Sequence, residues 1–131
     1  MRLRSLAWIM PAAGLLFLCN PAARSADDDR YGPEYQTCKK GNTHEIEVCV
    51  GGLTDAWDRR LNGAYQKLLQ GSDAQAVARL REAQRLWLAF RDANCLYYGT
   101  GEGTITRLQA AECLRSMTAH RALELEELLP N

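Results

Sequence analysis

The 131-residue chain has no excess of charge of either sign, with 16 Lys+Arg against 16 Asp+Glu. Nucleic-acid binders normally carry a strong basic excess, so the balance argues against that class. There is no CxxC pair, and the only two histidines, His44 and His120, lie far apart. A zinc site therefore has no plausible ligand set, and without CxxCH there is no haem attachment point. No metal and no cofactor are expected. No apolar run reaches the roughly 20 residues that a membrane-spanning helix needs. Nor is there sustained period-two alternation, which would mark strands. Internal repeats are lacking too, and the length suits one domain.

The chain does have a short positive start, Arg2 and Arg4, followed by the apolar run Leu6 to Leu18. That run is interrupted by Pro11 and has the length of a signal-peptide core. Ala23 and Ser25 place small residues for cleavage before Ala26. Leu18 is a poor residue to precede a lipidated Cys19, so export by cleavage is expected over lipidation or a retained anchor. Residues 1–25 are read as a signal peptide, 26–37 as a flexible acidic arm and 38–131 as the folded domain. All the acids lie in the exported part, which holds 13 basic and 16 acidic residues for a net −3.

Three amphipathic segments follow the arm. The first starts at a capping-box pattern, Asn42-x-x-Glu45, and carries Ile46, Val50, Leu53, Trp57, Leu61, Ala64, Tyr65 and Leu68 at helical spacing. Gly51-Gly52 is its weak point, where a kink is possible, since each interior glycine costs about 1 kcal/mol against alanine. Gly71 ends this helix, and Ser72-x-x-Gln75 begins the next. Its expected stripe is Val77, Leu80, Ala83, Trp87, Phe90, Asn94 and Tyr97, widened by Leu86, a pattern that buries Trp87 deeply. After the turn-forming run Gly99 to Gly103, a third helix uses Ile105, Leu108, Ala111, Leu114, Met117, Ala122, Leu125 and Leu128. Short connections make consecutive helices antiparallel. The expected fold is all-α: a small antiparallel three-helix bundle stapled by two disulfides, after a cleaved signal peptide.

Without Cys19 the cysteines are Cys38, Cys49, Cys95 and Cys113, an even number in a short exported chain. Folding the helices about their turns gathers all four at one end. Two connectivities satisfy that placement: 38–49 with 95–113, or 49–95 with 38–113. Local loop closure favours the first.

Three strings stand out on the helices: Asp58-x-x-Leu61-Asn62-x-x-Tyr65, Gln84-x-x-Trp87-x-x-x-Arg91-Asp92-x-x-Cys95, and Cys113-x-x-x-x-Thr118-x-x-Arg121. Together, from Cys38 to about Leu125, they resemble the family named for the N-terminal domain of the lysozyme inhibitor LprI. The resemblance implies an all-helical, disulfide-linked envelope domain and a role like lysozyme inhibition. Gly51-Gly52 departs from the pattern, which expects good helix formers there.

The bottom-up reading assigns Asp58, Asn62, Tyr65, Gln84, Trp87, Arg91, Asp92 and Arg121 to a structural polar network on facing helices. No base and nucleophile form an interpretable pair, so no catalytic residue is named and the protein is read as a non-enzyme. A binding module that blocks a lysozyme-type glycosidase needs a rigid protrusion for the two-carboxylate cleft. The candidates are Lys39 and Lys40 beside Cys38, and Gly101, Glu102 and Gly103 in the glycine-rich turn. The expected partner is such a glycosidase, the expected location periplasmic or secreted, and stable membrane insertion after cleavage is not expected. The competing reading is a structural or stress-related periplasmic protein with another partner and no inhibitory activity.

Overall fold

Asn42 sets the start of the longest helix in the computed structural model, which describes residues 33–130. Its side chain accepts from Glu45 N at 3.1 Å, and Glu45 Oε2 accepts from Asn42 N at 2.8 Å. This reciprocal pair satisfies two of the amide donors that a helix start leaves open. Gly41, at φ 131°, makes the turn into it, and a Cβ there would collide with the Glu45 carboxylate. Glycine alone combines that backbone with that closeness.

Among the described residues there are four helices: α1 (Pro33–Cys38), α2 (Thr43–Gly71), α3 (Ala74–Tyr98) and α4 (Thr104–Glu127). The described residues contain no strand. The fold is the expected all-α bundle with one short helix added in front. That addition corrects the reading of residues 26–37 as a flexible arm. Residues 33–37 are helical, and α1 packs on α2. The reason is the Cys38–Cys49 disulfide, which fixes the end of α1 beside the second turn of α2. The signal-peptide reading and the rest of the arm lie outside the described residues.

The second disulfide joins Cys95 to Cys113, so the locally closing connectivity is the one that forms. Pairs such as Asn94 with Cys113 and Gln84 with Arg121 show α3 and α4 antiparallel. Contacts of Glu47 with Arg107 and of Arg60 with Glu126 show α2 and α4 parallel. α4 is the central element. It packs most extensively on α2 and next on α3, while α2 and α3 touch little.

Two local expectations shift. Asp73, not Ser72, caps α3, its carboxylate accepting from Ala76 N at 2.8 Å. A carboxylate at that position also meets the positive end of the helix dipole. And α2 runs unbroken through Gly51-Gly52. The disulfide at Cys49 and the fully buried Val50 pin the chain just before the glycines.

The core is small: Leu61 and Ala64 of α2 meet Ala122 and Leu125 of α4. Half-buried Trp57, Tyr65, Leu68, Leu80, Trp87 and Leu129 surround it. The α3 stripe rotates away from the expected one. Gln84 and Cys95 are its buried residues, whereas Ala83, Phe90 and Tyr97 face solvent. Trp87 is half-buried instead of deeply buried. Among the described residues α3 has only α4 as a substantial neighbour, so that packing covers one narrow face.

Candidate functional site

α4 buries an unusual share of polar groups: Glu112, Arg115, Thr118 and Arg121 are all within a tenth of full burial. Each is covered because α4 has neighbours on two sides, and a charge survives there only with partners. Along the α3 side, Arg121 Nε donates to Gln84 Oε1 at 3.1 Å and Arg121 Nη1 pairs with Glu124 at 2.8 Å. Arg91 donates to Asp92 Oδ1 at 2.8–2.9 Å and to Thr118 Oγ1 at 3.4 Å. Both guanidinium groups stand over the Trp87 ring, Arg91 at 5.1 Å and Arg121 at 6.0 Å from its centroid. Gln84, Trp87, Arg91, Asp92 and Arg121 thus come together, with Thr118 as their acceptor on α4.

Asp58 and Asn62 do not join them. Asn62 Nδ2 donates to Asp58 Oδ2 at 2.8 Å on the exposed side of α2. Their i, i+4 spacing satisfies them locally, and α2 barely meets α3. Tyr65 packs against the apolar core.

A second polar cluster has no counterpart in the sequence-based list. Arg115 makes a bidentate pair with Glu112, with Arg115 Nε to Glu112 Oε2 at 2.8 Å. Glu34 of α1 approaches Arg115 at 3.7 Å and accepts from Trp57 Nε1 at 2.7 Å. The Glu112 hydrogen bond holds the Arg115 guanidinium charged above its ordinary range, against the desolvation of burial. The available signal was the i, i+3 spacing of Glu112 and Arg115. Surface ion pairs have the same spacing, so it does not reveal burial.

The two candidate loops lead into α2 and α4, whose opening turns are linked by an ion pair. Arg107 Nε of α4 lies 3.2 Å from Glu47 Oε1 of α2, close enough for an ion pair but not aligned as a hydrogen bond. Lys39 and Lys40 are exposed, directly after disulfide-bonded Cys38. Lys39 Nζ stands 5.6 Å from the Tyr35 ring centroid. Gly101, Glu102 and Gly103 are exposed between the two halves of the Cys95–Cys113 disulfide. Gly103, at φ 91°, turns the chain into α4, and Thr106 Oγ1 donates to Gly103 O at 2.8 Å. Both loops are therefore exposed segments on anchored stems.

The arrangement offers little acid–base chemistry. Ser116 Oγ lies 3.5 Å from His120 Nδ1, but that nitrogen is 2.7 Å from the Ser116 carbonyl oxygen. Nδ1 must donate to the carbonyl, so it cannot take the hydroxyl proton. A cleft of about 250 Å³ beside the second disulfide is lined by Asn94, Tyr98, Gln109, Glu112 and Met117. Its one carboxylate is already paired with Arg115. No group of ligands suited to a metal ion occurs among the described residues. No described helix is long and apolar enough to cross a membrane.

Residues 36–125 match the family model described as "Lysozyme inhibitor LprI". An uncharacterised protein of Rhizobium meliloti (strain 1021), R02472, is 28% identical over 134 aligned residues, covering 91% of this chain and 93% of the relative. No solved structure matches the chain.

Proposed function

Because the chain belongs to the lysozyme inhibitor LprI family, we propose that it is an exported envelope module that binds a lysozyme-type glycosidase and occludes its cleft. The family match over residues 36–125 is the observation that carries this reading. Two disulfides favour an oxidising compartment, periplasmic or secreted. The occluding part is the pair of loops at the stapled end, with Lys39 and Lys40 on one and Gly101 to Gly103 on the other. Their stems are fixed by disulfides, which lowers the ordering cost of binding. Retaining and inverting glycosidases alike work with two carboxylates flanking the scissile bond. Lys40, exposed and without an ion pair among the described residues, supplies a cation for such a site.

The experiment is a cell-wall lysis assay with the purified oxidised protein against lysozymes of several types. Inhibition at a one-to-one ratio is expected. Lys40→Glu should weaken inhibition about tenfold or more with an unchanged melting temperature, as loss of a desolvated charge contact does. If Arg91→Ala instead abolished inhibition in a protein of normal stability, the site would lie on the α3–α4 seam. Absence of inhibition with every lysozyme would favour a structural or stress-related envelope role.

A further inference from the structure

α3 turns a second apolar stripe toward solvent. Ala83, Leu86, Phe90, Ala93 and Tyr97 follow one another at steps of three and four, so they line one side of the helix over about 21 Å. Leu86 is 53% exposed, Phe90 61% and Tyr97 74%. We propose that this stripe is a self-association surface, on which a second copy of the chain docks with its own α3 antiparallel to the first. The proposal does not rest on the glycosidase reading; of its residues only Glu102 also lies in the proposed occluding loops.

The pattern of sizes is self-complementary about Phe90. Ala83 lies seven residues before Phe90 and Tyr97 seven after it. A twofold axis beside Phe90 therefore sets Ala83 opposite the Tyr97 of the second copy. Leu86, four residues before Phe90, meets Ala93, three after it, with an offset of one residue, and the two Phe90 rings meet at the axis. Away from the axis a large side chain faces a small one, at the axis the two aromatic rings stack on each other, and the contact is isologous. The side chains exposed along the stripe amount to roughly 500 Å² per copy, or about 1,000 Å² over both, the threshold for a specific interface.

Charge complements the same geometry. Arg79 is exposed at the start of the stripe and Glu102 is exposed just past its end, and neither has a partner among the described residues. Arg79 lies eleven residues before Phe90 on α3, and Glu102 lies four residues past the end of α3 at Tyr98, in the turn to α4. The antiparallel arrangement brings each Arg79 toward the partner's Glu102, twice per dimer. A parallel arrangement would place like charges together, so the charges select the direction as well as the contact.

The test is sedimentation equilibrium of the exported, oxidised protein at micromolar concentrations. A dimer is expected. Phe90→Glu should raise its dissociation constant about a hundredfold or more, as loss of a central aromatic anchor does. Ala93→Arg, a second exposed position, should act the same way, with circular dichroism unchanged for at least one of the two variants. Arg79→Glu or Glu102→Arg alone should weaken the dimer by roughly tenfold, and the two together should restore it. A monomeric wild-type protein would overturn the proposal. So would a dimer that a folded Phe90→Glu or Ala93→Arg variant leaves intact.

Discussion

Arg115 and Glu112 show how single residues shape this bundle. Both are almost fully buried, and the Arg115 guanidinium is held charged by its hydrogen bonds to Glu112, with the Glu34 carboxylate 3.7 Å away. Removing one partner would strand the second in a desolvated site. Arg115→Ala is expected to lower stability by about 3–5 kcal/mol. Replacing Arg115 with Met and Glu112 with Leu together should recover most of that loss, because a packed apolar pair strands no charge. Denaturant unfolding of the three proteins measures it, and a single-variant loss below about 1 kcal/mol would show the pair to be solvated. The Arg60–Glu126 pair differs in kind. The Arg60 hydrogen bond pulls the Glu126 carboxyl below its ordinary range, but both groups stand in solvent, so their attraction is well screened.

At the scale of elements, α2 persists through two adjacent glycines that intrinsic propensity disfavours. Tertiary anchoring on either side outweighs the local cost: Cys49 and Val50 before the glycines, Trp57 and Leu61 after them. Gly51 and Gly52 have helical backbones, and a Cβ at either would meet nothing within 4 Å. Gly51→Ala and Gly52→Ala are therefore each expected to stabilise the protein by about 0.5–1 kcal/mol. Thermal unfolding of the single variants checks this. A lower melting temperature for both would mean that the glycines serve a bend or a close contact. α3 presents the opposite case, a helix with good propensity whose second face finds no cover among the described residues.

For the whole molecule, eight buried apolar residues among the described ones, four of them in one cluster with a half-buried rim, leave little apolar burial to hold three long helices. The disulfides compensate by restricting the unfolded chain. They close loops of 11 and 18 residues, and loops of that size stabilise by roughly 3 kcal/mol each. The protein lacking residues 1–25 should show no reactive thiol when denatured without reductant. It should lose several kcal/mol when both bridges are reduced. Thiol titration and unfolding with and without reductant decide the matter. Two or more free thiols per unreduced chain would remove the disulfides from the account.

The sequence by itself determined the helix count of the main bundle, the capping box at Asn42 and the even set of four cysteines. It also narrowed the cysteine pairing to two choices. All of these depend on spacing along the chain, which helical periodicity and loop length translate directly into structure. Tertiary structure decided which way each helix turns. A three- or four-residue repeat fits more than one face of α3, and only packing on α4 selected Gln84 and Cys95 over Ala83 and Phe90 for burial. The same packing left Asp58 and Asn62 outside the seam, although they share a motif string with Tyr65. It also buried Glu112 and Arg115. Charged residues enter a core only where several partners converge from distant parts of the chain, here from α1, α2 and α4, and spacing within one helix contains no record of that convergence.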